Sequence, residues 1–221
     1  MRFQFRRYLR LQGDEDSMQR DANAGIEPVD HDDLRRPGEL VRPGRSIDLR
    51  RHTPAQRDTF VRWYADPEIA EMLRHDLTPL DGPRARSYFS SIILPASARG
   101  TCWAIHLHDT GQLIGSTAVT DVDERAGTSL FRLVIGEKDA WGHGYGTEAT
   151  NLVLAQAFNA LGLHRINLEV FTHNPRARRT YEKVGFRQTG EHSEWVSSLR
   201  RRIDIVEMAL DRQEWLERNR F

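Results

Sequence analysis

The sequence predicts an α+β domain in which a central mixed, mostly antiparallel sheet is flanked by helices. Two observations carry that expectation. Apolar and polar residues alternate through "CWAIHLHDTGQLIGSTAVTDVD" and "TSLFRLVIGEKD", with a turn at Asp109, Thr110 and Gly111. A glycine-rich stretch, "AWGHGYGTEA", then opens a helical run that is followed by another alternating segment, "HRINLEVFT".

The size and charge of the chain limit what such a domain can serve. Its 221 residues fit one domain with extensions and are enough to bury a core. With 32 basic and 32 acidic residues, a general attraction to nucleic acid or an anionic membrane is disfavoured. A single cysteine, Cys102, excludes an intramolecular disulfide and multi-cysteine metal sites. No apolar stretch reaches transmembrane length, and the first residues lack the apolar region of a secretory signal, so a cytoplasmic protein is expected.

Residues 1–45 mix arginine with acidic runs and show no sustained period, and the expectation is a flexible extension. Its first eleven residues set Phe3, Phe5, Tyr8, Leu9 and Leu11 among arginines. They read either as a basic amphipathic helix or as a tail. From residue 46 the signals become regular. "SIDLRRH" reads as a strand; Thr53 then offers an N-cap, Pro54 the first helical position and Gln56 a capping box. Phe60, Trp63 and Tyr64 fall on one helical face, and "PEIAEML" and "GPRARSYFSSIIL" read as further helical pieces. Beyond the three antiparallel strands, Ala149, Leu152, Val153, Ala157 and Leu161 share a helical face that ends at Gly162. In the next strand Ile166, Leu168 and Val170 point one way and Asn167, Glu169 and Phe171 the other. Asn174 and Pro175 open a short helix, and "FRQTGEHSEWV" and "RRIDIVEMAL" pair as strands. The domain is expected to span residues 46–212, with residues 213–221 as a charged tail.

Gly142, Gly144 and Gly146 alternate at the strand-to-helix turn. Such a loop lets backbone N–H groups approach an anion, with the helix dipole behind them, although glycines at such a turn also serve purely for tight geometry. A Walker loop would need lysine after the last glycine, whereas Thr147 and Glu148 stand there. A dinucleotide fingerprint would need a different glycine spacing and a parallel setting.

Downstream, "NPRARRTYEKVGF" places Asn174, Ala177, Tyr181, Gly185 and Phe186 at the spacing of one short helix turning into a strand. With "YADPEIAEML", "AWGHGYGTEA" and "LEVFTHNPRARRTYEKVGF" in this order, the chain resembles the GCN5-related N-acetyltransferase (GNAT) family. The likeness is greatest to its RimJ/RimL-like branch and covers roughly residues 46–210. The resemblance implies a GNAT-like acyl-CoA N-acyltransferase fold with acetyl-CoA as co-substrate. The family's pyrophosphate loop, patterned Gln/Arg-x-x-Gly-x-Gly/Ala, falls on Trp141, Gly142, His143, Gly144, Tyr145 and Gly146, with Thr147 next. Trp141 departs from the general pattern but is usual in the RimJ/RimL-like branch. Leu133, Val134 and Ile135 would run beside the pantetheine, with Asn174 and Ala177 on its other side.

The implied chemistry is direct attack of an amine on the thioester, with no metal and no covalent nucleophile. It asks for a positioned neutral amine, a stabilised oxyanion and a proton for the leaving thiolate. The resemblance gives Tyr181 the place of the general acid; the other reading is a core tyrosine packed beside the cofactor. Glu169 leads as general base, against a merely solvated carboxylate, and Glu137 is the reserve. His143 reads equally as a charge near pyrophosphate or as a solvated side chain. His106 and His108 lack further zinc ligands, and Cys102 lacks a paired histidine.

The acceptor stays open between a protein or peptide N-terminus and a small molecule such as an aminoglycoside or polyamine. Asp76, Asp81, Asp121, Asp123 and Glu124 would favour the second if they converged. A catalytically silent acyl-CoA sensor is the expectation of another class. A monomer or a homodimer is equally compatible with the sequence.

Overall fold

The computed structural model describes residues 38–73, 76–197 and 199–219. The amphipathic reading of the first eleven residues lies outside them. The described residues build one eight-stranded sheet from β1 (Leu40–Pro43), β2 (Ile47–Arg50), β3 (Cys102–Leu107), β4 (Leu113–Asp123), β5 (Thr128–Ile135), β6 (Arg165–Phe171), β7 (Arg187–Val196) and β8 (Arg201–Asp211). Their spatial order is β1-β2-β3-β4-β5-β6-β8-β7. Every pairing is antiparallel except β5 with β6.

That parallel pairing positions the site. It holds only from Thr128↔Arg165 to Leu130↔Asn167. Beyond it β5 continues along β4 to Gly115↔Ile135, while β6 continues along β8 to Phe171↔Ile205. The two strands therefore splay, and backbone groups on their facing edges are left without a strand partner.

Helices cover the sheet according to the side-chain alternation of the strands. On one face lie α5 (Tyr145–Asn159), α6 (Pro175–Val184) and α7 (Arg212–Arg218). Val153, Leu154, Ala157 and Phe158 of α5 pack there with Trp103, Phe131, Ile166, Leu168 and Val206 in the main core. On the other face α1 (Arg57–Tyr64), α2 (Pro67–Leu73), α3 (Gly82–Tyr88) and α4 (Leu94–Ala98) enclose a second core around Phe60, Trp63, Phe89 and Cys102. The expected stripe of α1 is buried, with the Phe60 and Tyr64 rings stacked at 4.2 Å. Gln56 accepts from the Thr53 N–H at 3.2 Å, the half of the capping box that seats the chain before α1. A single π-turn, Phe89–Ile93, joins α3 to α4.

Two expectations at the ends of the domain need correction. Strand β1 lies inside the segment read as a flexible extension. It is held by backbone pairing to β2, and the turn between the two is anchored by the Glu148 carboxylate, which accepts from the N–H groups of Arg45, Ser46 and Ile47 at 2.6, 2.8 and 3.3 Å. A four-residue strand is too short to show a period, and the Glu148 anchor on the turn that follows it lies far along the chain. Residues 213–219, read as part of a charged tail, belong to α7 and its cap. Trp215 of α7 is buried, with its ring 5.5 Å from that of Phe158.

Candidate active site

The glycine loop joins β5 to α5. Gly142 and Gly144 take φ of +83° and +84°, left-handed values that favour glycine, and a Cβ on either would meet nothing within 4 Å. Conformation rather than crowding therefore calls for glycine there. Gly144 is the N-cap of α5, whose fifteen residues give the loop a helix N-terminus with free N–H groups.

Beside β5, beyond its last pair with β6, lies a cavity of about 340 Å³. Leu133, Val134 and Ile135 of β5 form one wall, and Trp141, Gly142, Gly144, Tyr145, Gly146 and Thr147 form its loop end. Asn174, Ala177 and Tyr181 face them from α6. Asn174 is placed by its own capping bond, its side chain accepting from the Ala177 N–H at 3.1 Å. Of the cofactor residues expected from the sequence, His143 alone is absent from the lining; its ring stacks on Tyr145 at 5.7 Å.

The β5 wall offers usable backbone. The Gly136 N–H donates to the Ile114 carbonyl on β4 at 2.8 Å, so alternation turns the N–H and C=O of Ile135 and Leu133 toward the gap. The Trp141 indole N–H takes the Ile135 carbonyl at 2.7 Å. The backbone polar groups of Leu133 and the N–H of Ile135 face the space where β6 has diverged.

Tyr181 is buried between Phe131 and Phe186, whose rings stand edge-on to it at 6.0 Å each, and it borders the cavity. Burial pushes its phenol well above the usual range, opposed in part by the positive charge of Arg132. The phenol is therefore neutral, in the form of a proton donor rather than a base.

Glu169 stands elsewhere. It pairs with Glu207 across β6 and β8 on the face away from α5 and α6, and it does not line the cavity. Glu169, His192 and Glu207 each offer a ligand atom, all within 4.8 Å of one another, a grouping able to hold a cation. His192 Nδ1 lies 3.0 Å from Glu207. The reserve candidate Glu137 is occupied: Arg62 donates to it at 2.5 and 3.2 Å and the Trp63 indole at 2.9 Å. The Arg62 bond and, less, the Trp63 bond hold its carboxyl below the usual range against the cost of burial.

The remaining candidates have structural partners. His106 Nδ1 lies 2.7 Å from the Gly111 carbonyl oxygen, and His108 Nδ1 lies 2.9 Å from Asp48. Cys102 is buried, which pushes its thiol up to about 12 and removes it as a nucleophile. Two of the acidic residues considered for a polycation serve local backbone. Asp81 caps α3 through the Arg84 N–H, while Asp123 accepts from Arg125 and Ala126 in the β4–β5 turn.

Sequence reading missed part of the lining: Ile69, Met72 and Leu73 of α2, and Arg176, Arg179 and Lys183 of α6. The α6 cations were visible inside the motif, but only the fold turns them toward the cavity. Arg176 places its guanidinium carbon 3.9 Å from the centre of the Trp141 ring. Among the described residues no helix is long and apolar enough to cross a membrane.

Residues 46–187 match the family model described as "Acetyltransferase (GNAT) domain". An uncharacterized N-acetyltransferase, p20 of Bacillus licheniformis, is 23% identical over 171 residues, 76% of this chain and 94% of that protein. The crystal structure of a GNAT-family acetyltransferase from Bacillus anthracis aligns with a TM-score of 0.68 at 16% identity, over 78% of this chain and 99% of that one. The spermidine N-acetyltransferase of Vibrio cholerae, solved with CoA and spermine, aligns with a TM-score of 0.66 at 20% identity. That alignment covers 77% of this chain and 98% of the other.

Proposed function

The chain belongs to the GNAT acetyltransferase family and is an N-acetyltransferase using acetyl-CoA, and from that premise we propose where the donor sits and which amine it meets. The observation that carries the reading is the cavity beside β5, bordered by the glycine loop, by α6 and by Tyr181.

Acetyl-CoA lies in that cavity with its pyrophosphate on the loop and the N-terminus of α5. Its pantetheine amides bond the free backbone of Leu133 and Ile135 as a strand would, while Asn174 and Ala177 close the opposite wall. The acceptor arrives neutral, and its nitrogen lone pair attacks the thioester carbonyl carbon. A backbone N–H of β5 steadies the oxyanion. As the tetrahedral intermediate collapses, the C–S bond breaks and Tyr181 gives its proton to the thiolate. The Tyr181 phenolate regains a proton from solvent, which restores the neutral phenol, and the proton shed by the nitrogen leaves through water. Glu169 stands outside the cavity lining, so its support is for receiving that proton on the acceptor side, not for direct contact with the thioester.

We assign the chain to the RimJ/RimL-like branch, with a peptide N-terminus as acceptor. Support comes from β7, which among the described residues is an edge strand of the sheet, and from Trp195 on it, 58% exposed, which together offer a surface to an extended chain. One observation favours a polyamine instead: Glu169, Glu207 and His192 gather two carboxylates on the open sheet face, where a second ammonium would be held. Thiol release from acetyl-CoA, measured against peptides of varied first residue, polyamines and aminoglycosides, decides between them. Turnover with peptides alone supports the assignment, and turnover with polyamines alone overturns it. CoA binding without turnover on any amine makes the protein a sensor.

A further inference from the structure

The loop at the head of the cavity brings backbone N–H groups and the partial charge of one helix, but no cation to the lining. Lys138, the lysine between β5 and α5, is paired with Asp66 and Glu68 at 2.8 and 2.7 Å, and His143 stacks on Tyr145 outside the lining. A pyrophosphate diester carries two negative charges, more than a helix dipole of about half a charge can offset.

The charge is present across the cavity. Arg176, at the start of α6, borders the cavity with its guanidinium over the Trp141 ring. Among the described residues no carboxylate pairs with it. Its neighbour Arg178, by contrast, donates to Glu182 at 2.8 Å. The platform beneath Arg176 is itself fixed, because the Trp141 indole N–H is bonded to Ile135. A stacked guanidinium presents its ring-side face to the indole and keeps its in-plane N–H groups for an anion, which a lysine ammonium cannot do in the same fixed geometry.

We propose that Arg176, seated on the Trp141 ring, is the cation that binds the pyrophosphate of acetyl-CoA. The contact joins the two walls of the cavity: Trp141 belongs to the loop after β5 and Arg176 to the helix after β6. The donor is thus held from both sides of the splay at its most charged point. This inference rests on the placement of acetyl-CoA in the cavity proposed above.

The test is calorimetric titration of CoA and dephospho-CoA into the wild type, Arg176→Gln and Arg178→Gln at low and high salt. Arg176→Gln should weaken both ligands about tenfold, the scale of a charged hydrogen bond, and flatten the salt dependence of binding. Arg178→Gln, a change of equal charge on the same helix, should bind as the wild type. Unchanged CoA affinity in Arg176→Gln overturns the proposal. So does weakening confined to CoA, which would assign Arg176 to the 3′-phosphate, or weakening with the salt dependence intact, which would make its role structural. A wild type that binds no CoA removes the donor placement itself, a failure visible before any substitution.

Discussion

Tyr181 and His52 are both buried ionisable residues, and burial keeps each of them neutral for a different use. For Tyr181 the consequence bears on the acid role proposed above. Replacing it by phenylalanine keeps the packing against Phe131 and Phe186 and removes only the proton, so turnover should fall about a hundredfold with acetyl-CoA affinity nearly unchanged. Steady-state kinetics beside a dissociation constant check this, and unchanged turnover would remove the acid role. For His52 the consequence is stability. Its ring lies 2.8 Å from Gln56 Oε1 and 3.0 Å from Ser116 Oγ, and burial lowers its pKa from 6.5 to about 4. The folded state thus binds a proton less readily than the unfolded chain. Stability is complete above pH 6.5 and declines as pH falls toward 4, by about 3 kcal/mol from this group. Denaturation at stepped pH should show that slope, and His52→Gln should flatten it. At this scale the sequence was informative wherever a residue acts through near neighbours. The glycines at 142 and 144, the Asn174 cap and Tyr181 in its helix all depend on a few adjacent positions. The Arg176–Trp141 contact and the neighbours of Glu169 depend on strand register and helix placement, which spacing along the chain does not encode.

Elements with a strong internal period were legible in the sequence, and those held by distant partners were not. The stripe of α1, the hairpin of β3 and β4 and the amphipathic α6 each repeat a pattern over enough residues to be recognised. Helix α7 is seven residues long with two large apolar side chains, Trp215 and Leu216, among charges, so its composition reads as a tail. Its attachment is nonetheless to the main core. Trp215→Ala should cost about 3 kcal/mol, the loss expected for a large aromatic ring removed from a packed site, and urea denaturation would measure it. An effect below about 1 kcal/mol would mean that α7 is not part of the cooperative unit. Strand β1 illustrates the same limit. Its strand partner β2 follows closely in the chain, but the Glu148 carboxylate that anchors the turn between them lies 103 residues from Arg45, and nothing in the four residues of β1 announces it.

On the scale of the whole molecule, the fold class was legible because the change from strand to helix period fixes an α+β arrangement. The opening of the sheet was not, because it depends on β5 and β6 being strands of ordinary appearance that cease to pair. β1 to β5 and β6 to β8 are two consecutive stretches of chain, joined within the sheet by three residue pairs. Measured as hydrogen exchange, the amides of Leu133 and Ile135 should be among the fastest of β5 without donor and should slow on adding CoA, while those paired to β4 change little. Equal slowing along the whole of β5 would count against a strand-like donor. With the donor placed as proposed, its strand-like bonds to β5 add to a seam of only three residue pairs, which the protein keeps when CoA leaves. An enzyme starved of donor should then yield first along that line, making its resistance to proteolysis a gauge of the surrounding acetyl-CoA supply.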